Sequence, residues 1–256
     1  MPAIKSIFSE RFRIDRCSSA KAFHRLADVA LILATCVVAA TDPANAQSQT
    51  IDLSGQPIGA PPQDFEFWRA GEGDSGHWTV ERDGASDSSV SVQRSGGNRD
   101  LHSSLAACKT LSAVNARIRV QFKLIDGSMP SAGIAVRVTS PNDYYLVRVS
   151  AFEQRLSLLH VVNGMAEEVA GVDADITLDH WQSLEVVVDG NSFKMSLDNR
   201  WALTAFDYGK PAGGHFGIWT ERDDVTRFNQ IEITPLTYVG DDENLRNRAG
   251  GESRTE

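Results

Sequence analysis

Cysteine is scarce: the 256-residue chain has three, and Cys17 and Cys36 both fall in its first 46 residues. Cys108 is then left without an internal partner, so a disulfide framework is excluded and stability has to come from a packed core. Within SLAACKT, Cys108 reads as a small buried hydrophobe. Positive charge is also short. Without residues 1–46 the chain loses six of its 25 basic and four of its 34 acidic residues, and 19 face 30, a formal charge of −11. Such a surface carries no electrostatic footprint for nucleic acid or anionic lipid, and neither is expected as a partner. The main apolar run, VALILATCVVAA at residues 29–40, has 12 residues, too few for the ~20 that span a bilayer. No stretch of 64–236 keeps helical periodicity for three turns. Gly-x-Ser-x-Gly, a phosphate-cradling glycine loop and Cys-x-x-Cys are all missing, which removes the chemistries they carry. His77, His102, His160, His180 and His215 are scattered without short ligand spacing, which argues against zinc.

What is present starts with a leader. Lys5, Arg11, Arg13, Arg16, Lys21 and Arg25 precede the apolar run, and Ala44-Asn45-Ala46 supplies the small residues of a cleavage site. Residues 1–46 are therefore expected to be an export signal cleaved near Ala46, which makes the mature protein periplasmic or extracellular. Residues 47–63, QSQTIDLSGQPIGAPPQ, read as an extended linker. The polar, aperiodic stretch 237–256 reads as a disordered tail.

Between them lies one domain, 64–236, whose signal has a period of two. In NARIRVQFKL, Ala116, Ile118, Val120, Phe122 and Leu124 alternate with Arg117, Arg119, Gln121 and Lys123, so one face is buried and the other meets water. Further strands are expected at 132–138, 143–149, 154–162, 181–189, 192–197, 201–206, 215–220 and 226–233. Turn formers such as Asn163-Gly164, Asp189-Gly190 and Asp198-Asn199 separate them. Many short antiparallel strands without helices favour an all-β, antiparallel two-sheet sandwich.

The order of motifs is then informative. Asn142-Asp143-Tyr144-Tyr145-Leu146-Val147-Arg148, the hairpin through Asn163-Gly164, Trp181-x-x-Leu184-x-Val186, Phe193 to Leu197-Asp198, Gly214-x-Phe216-Gly217-Ile218-Trp219-Thr220 and Thr226-x-Phe228-Asn229 follow one another. This order resembles the concanavalin A-like jelly-roll group, and within it the laminin-G-like and 3-keto-disaccharide-hydrolase-like domains of exported bacterial proteins. The resemblance covers roughly 64–235. It implies a jelly roll of carbohydrate-facing ancestry, but a fold by itself does not assign an activity. The Glu-x-Asp-x-x-Glu strand motif of the glucanases of this group does not occur in 64–236, which speaks against a retaining hydrolase and its paired carboxylates. Glu167-Glu168 and Asp173-x-Asp175 are acidic pairs, but EEVAGVDADI reads as a solvated loop.

Saccharides present a flat apolar face and a rim of hydroxyls, so their sites combine aromatic rings with planar polar side chains. Five tryptophans are available: Trp68, Trp78, Trp181, Trp201 and Trp219. Trp181, leading into Leu184, Val186 and Val188, reads as core. The expected ligand set is Asn142, Tyr144, Arg148, His215 and Trp219. His215 and Trp219 share a strand face on which Gly217 leaves a recess, and Tyr144 and Arg148 share a face of their own strand. The alternative for Arg148 is a structural cation paired with an internal acid such as Glu185. Asp223, Asp224 and Asn229 are candidate ligands of a structural calcium ion, and no other cofactor is implied. Three functions follow: a non-catalytic recognition module for carbohydrate or another cell-envelope ligand, an enzyme acting on modified (3-keto) glycosides, or a protein-interaction scaffold. Ligand identity and oligomeric state are not legible.

Overall fold

The computed structural model describes residues 48–69, 76–83, 90–95, 103–209 and 212–236. The leader and the tail expected from the sequence lie outside them. The described residues contain fifteen strands: β1 (Gln49–Thr50), β2 (Phe65–Arg69), β3 (His77–Arg82), β4 (Val90–Ser95), β5 (Ser104–Ala113), β6 (Ala116–Asp126), β7 (Ser131–Ser140), β8 (Asp143–Ser150), β9 (Arg155–Val162), β10 (Met165–Asp173), β11 (Gln182–Asp189), β12 (Ser192–Leu197), β13 (Arg200–Phe206), β14 (Gly214–Thr220) and β15 (Val225–Pro235). One sheet runs β13-β12-β11-β6-β15-β4-β3, with β1 added to β15, and the other runs β10-β9-β8-β7-β14-β5-β2. The strand pairs within both sheets are antiparallel, and the expected all-β two-sheet sandwich is what the chain forms.

The alternation read in 116–124 is the register of the core. Ala116, Ile118, Val120, Phe122 and Leu124 are buried, while Arg117 is exposed and Arg119, Gln121 and Lys123 are half-buried on the outer face. Opposite them, Leu184 faces Val120 and Val186 faces Ile118. Ile134, Val136, Val147, Val149, Leu156, Leu158, Phe216 and Ile218 supply the other wall. Cys108 is buried in this core as the small hydrophobe its sequence context implied.

Three expectations are corrected. The segment read as a linker is tied to the domain: β1 pairs with β15, Leu53 is buried in the core, and the Val80 N–H donates to the Ala60 carbonyl at 2.9 Å. Most of EEVAGVDADI belongs to the edge strand β10 (MAEEVAGVD), not to a loop, because its backbone completes the ladder on β9 while Glu167, Glu168 and Asp173 stay exposed. Trp181 is half-buried outside the core. Its indole N–H donates to Asp83 at 2.8 Å, and the Lys123 ammonium lies 5.5 Å from the ring centroid.

Candidate functional site

The expected ligand set lies on the outer face of the β10-to-β2 sheet, and the structure places it unevenly. Arg148, Gly133 and Trp219 form one row across β8, β7 and β14. The recess expected there is filled. A side chain at Gly217 would meet Leu105 Cδ1 at 2.8 Å and the Ala106 carbonyl oxygen at 2.7 Å, and one at Gly133 would meet Leu146 Cδ1 at 2.6 Å. Leu105, Ala135, Val138, Tyr144, Leu146, Leu159, Val161 and Trp219 pack as a second apolar cluster on this face. Tyr144 and Trp219 are each 5% exposed, so neither ring is presented for stacking, and burial pushes the Tyr144 phenol up. Arg148 is the structural cation, paired not with Glu185 but with Glu153 and, at 3.7 Å, with Glu221. Glu185 sits in the other sheet opposite Arg119. His215 Nδ1 lies 3.0 Å from the Cys108 carbonyl, and its ring meets Trp68 edge-on. Asn142 is exposed, and its carbonyl accepts the Gly164 N–H at 2.8 Å, tying two hairpin turns together.

The calcium set does not converge either. Asp224 is buried, with Oδ2 accepting the Ser131 N–H at 2.9 Å and Oδ1 the Met129 N–H at 3.4 Å. The Asp223 carboxylate accepts the Ser128 hydroxyl at 2.6 Å. Asn229 stands opposite Gln121, whereas Val225, next to Asp224, stands opposite Asp126. Five residues of strand therefore separate the amide from the carboxylates, about 16 Å, and its Oδ1 accepts the Gln230 N–H at 2.7 Å. These residues do not fit a calcium shell. Among the described residues no group of three or more His, Cys, Asp or Glu side chains could hold a metal ion.

Asp224 has a different consequence. Burial, only partly opposed by the two N–H donors, pushes its carboxyl up to about 7 from 3.8. A carboxyl whose folded pKa is raised binds more protons folded than unfolded between those values, so stability falls as pH rises from about 4 to 7 and levels above that. The melting temperature is expected to decline across that window, and the decline to vanish in Asp224→Asn. A wild-type melt that rises from pH 4.5 to 7 would contradict this account.

Among the described residues, a groove that reaches solvent lies at the side of the sandwich where the two edge strands, β10 and β13, run past each other. At one end a cleft of about 350 Å³ is bordered by Asp173, Asp175, Asp198, Arg200 and Trp201. At the other a cleft of about 540 Å³ is bordered by His160, Glu167, Glu168, Phe206, Asp207 and Tyr208. Trp201 is 69% exposed, Phe206 55% and Tyr208 85%. A register shift makes this row possible. Met195 faces Leu203, but the next residue, Ser196, faces Trp201, leaving Ala202 as the extra residue of a bulge. Strict alternation would put Trp201 with Leu203 and Ala205 toward the core, and the bulge turns it outward with Thr204 and Phe206. The indole N–H donates to Thr204 Oγ1 at 3.2 Å, which lays the ring back along the strand.

The wider cleft holds an ordered polar cluster. Tyr145 donates to Asp207 Oδ2 at 2.9 Å, the Gly209 N–H reaches Oδ1 at 2.9 Å, and His160 Nδ1 lies 3.3 Å from Oδ2. The imidazole stacks on Tyr145, centroids 4.1 Å apart and planes 9° apart. Burial and the Asp207 contact push the Tyr145 phenol up to about 12. Burial works against ionisation of Asp207, but the Gly209 and Tyr145 donors and the Arg137 charge outweigh it and hold its carboxyl low. With Nδ1 aimed at Asp207, Nε2 is the nitrogen left for other partners. On β10, Glu168 is held low by Arg155, which it meets at 2.6 Å. In the sequence Glu167-Glu168 and Asp173-x-Asp175 appear as acidic pairs, Trp201 as one of five tryptophans and His160 as one of the scattered histidines, with nothing to join them.

No family model matches the chain, and no curated protein does. Solved structures do. The carbohydrate binding module CBM66 from Bacillus subtilis is similar over 66% of this chain and 94% of its own, with 19% identity and a TM-score of 0.53. The exoplasmic/lumenal domain of VIP36 in its Ca2+/Man-bound form is similar over 69% and 85%, with 14% identity and a TM-score of 0.51. A Bacillus subtilis protein of unknown function with a galectin-like fold is similar over 68% and 90%, with 10% identity and a TM-score of 0.50. At these identities the likeness shows the fold alone, an antiparallel two-sheet jelly roll. No helix of the described residues is long and apolar enough to cross a membrane.

Proposed function

We propose that this chain is an exported, non-catalytic carbohydrate-recognition module, and that its platform is the β13 edge and not the β8–β14 face. The observation that carries the reading is the row Trp201, Phe206 and Tyr208, three solvent-facing rings beside two polar clefts. Rings of this kind stack on the apolar C–H face of a sugar, and the bordering carboxylates and Arg200 take its hydroxyls. The fold likeness to a carbohydrate binding module and to a mannose-bound lectin domain supports the same reading, as does the laminin-G-like order of motifs.

The test is intrinsic fluorescence during titration with soluble polysaccharides: a mixed-linkage glucan, a galactomannan, a xylan and a levan. At least one is expected to shift the tryptophan emission saturably, with or without chelator, since no calcium shell supports the platform. Silence across the whole panel would overturn the reading. One observation favours a second reading, an enzyme of the 3-keto-disaccharide-hydrolase-like class. His160, steadied by Asp207 and Tyr145, has Nε2 available as a general base in the wider cleft. Products released in the same incubations with 3-keto glycosides, and lost with His160→Ala, would support that reading over simple recognition.

A further inference from the structure

We infer that the ligand is an extended, uncharged polysaccharide lying along β13 and covering at least two sugar rings, a specificity that rests on the proposed carbohydrate reading. Its first ground is length. Trp201 and Phe206 stand opposite Ser196 and Ser192, both on the outer side of the sheet, and are five residues apart on one edge strand. Because Ala202 is the extra residue of a bulge, they are four rungs of the ladder apart, about 13 Å, more than one sugar ring covers. Each aromatic borders the cleft at its own end of β13, one cleft of about 350 Å³ and one of about 540 Å³. Between the rings lie Thr204 and, opposite it, Lys194, short and long polar side chains suited to hydroxyls and not to another stacked face. A compact monosaccharide would engage one end and leave the other ring bare.

The second ground is charge. Asp173, Asp175 and Asp198 border the first cleft against Arg200, and Glu167, Glu168 and Asp207 the second against His160. Arg155, the nearby guanidinium, is already paired with Glu168 at 2.6 Å and with Asp173 at 3.4 Å. A uronate or sulfate would meet repulsion at both ends, whereas hydroxyl donors meet acceptors.

The experiment is a titration of the full chain with β-linked gluco- and manno-oligosaccharides from monosaccharide to octasaccharide, with polygalacturonate as the anionic probe. Affinity is expected to climb at least tenfold between monosaccharide and tetrasaccharide and then level, while polygalacturonate does not bind. Phe206→Ala, at an exposed position, should flatten that climb without lowering the melting temperature. A monosaccharide that binds as tightly as the octasaccharide overturns the extended-chain inference and leaves carbohydrate recognition standing. Tighter binding of polygalacturonate overturns the uncharged specificity. Failure of every oligosaccharide and polysaccharide overturns this inference together with the reading beneath it.

Discussion

Gly214→Ala is expected to cost about 3 kcal/mol of stability, the upper end of the usual overpacking range, enough to cut the yield of folded protein, while Gly213→Ala one position earlier is tolerated. A Cβ at Gly214 would lie 2.4 Å from the Arg137 carbonyl carbon, 2.7 Å from the Val138 nitrogen and 2.8 Å from Arg137 Cα. All three are backbone atoms, so no rotamer change can make room, and overpacking at a rigid site costs ~1–3 kcal/mol or more. The opposing backbone is itself constrained. Arg137 has φ of 53° within the irregular stretch where β7 slips against β8, a conformation that costs a non-glycine residue about 1–2 kcal/mol. Its guanidinium is anchored on the Val114 and Gly190 carbonyls and over the Phe193 ring, which stops that backbone from retreating. At Gly213 the nearest atom to a new Cβ is Val114 Cγ2 at 3.6 Å, an ordinary contact. Thermal melts of the two variants side by side decide the matter, and equal melting temperatures would show that β7 and β14 can move apart.

The fold was legible where one face of a strand is wet and the other dry. Ala116 to Leu124 and Leu184 to Val188 alternate in sequence as they alternate in burial. β10 escaped notice because an edge strand exposed along Met165–Glu168 has no dry face to alternate with. The candidate site was much less legible, for two physical reasons. Parity put Tyr144 with Arg148 on one strand face and His215 with Trp219 on another, but parity does not say whether such a face is wet. Distant packing decides that, and here Leu105, Leu146 and Leu159 join Tyr144 and Trp219 in a buried cluster. The opposite failure hides Trp201. Its place in WALTAF implies the Leu203 face, and only the extra residue at Ala202 reverses it. A bulge has no signature in residue type, so the exposed tryptophan passes in sequence for one more core position. His160, Tyr145 and Asp207 come from three separate segments, and no local spacing announces their convergence.

The two tryptophan positions therefore separate the two possible sites by experiment. Trp201→Ala is expected to weaken binding of the best polysaccharide about 30-fold, or ~2 kcal/mol, the loss typical of a principal aromatic anchor. Its melting temperature should stay near wild type, because the ring is 69% exposed and gives up one 3.2 Å hydrogen bond to Thr204, and surface substitutions of this kind shift stability within about 0.5 kcal/mol. Trp201→Phe should recover part of the affinity, since a flat apolar face remains while the indole N–H that aligned it is gone. At Trp219 the expected effects are reversed. The ring is 5% exposed and packs with Leu105 and Leu146, so Trp219→Ala leaves a cavity costing ~3–5 kcal/mol, while the milder Trp219→Phe melts earlier but binds as before. Isothermal titration on folded samples of all four variants reads the affinities, and calorimetric melts read the stabilities. Loss of binding in Trp219→Phe with full binding in Trp201→Ala would move the site to the β8–β14 face, because a buried ring can control affinity only if the ligand enters there.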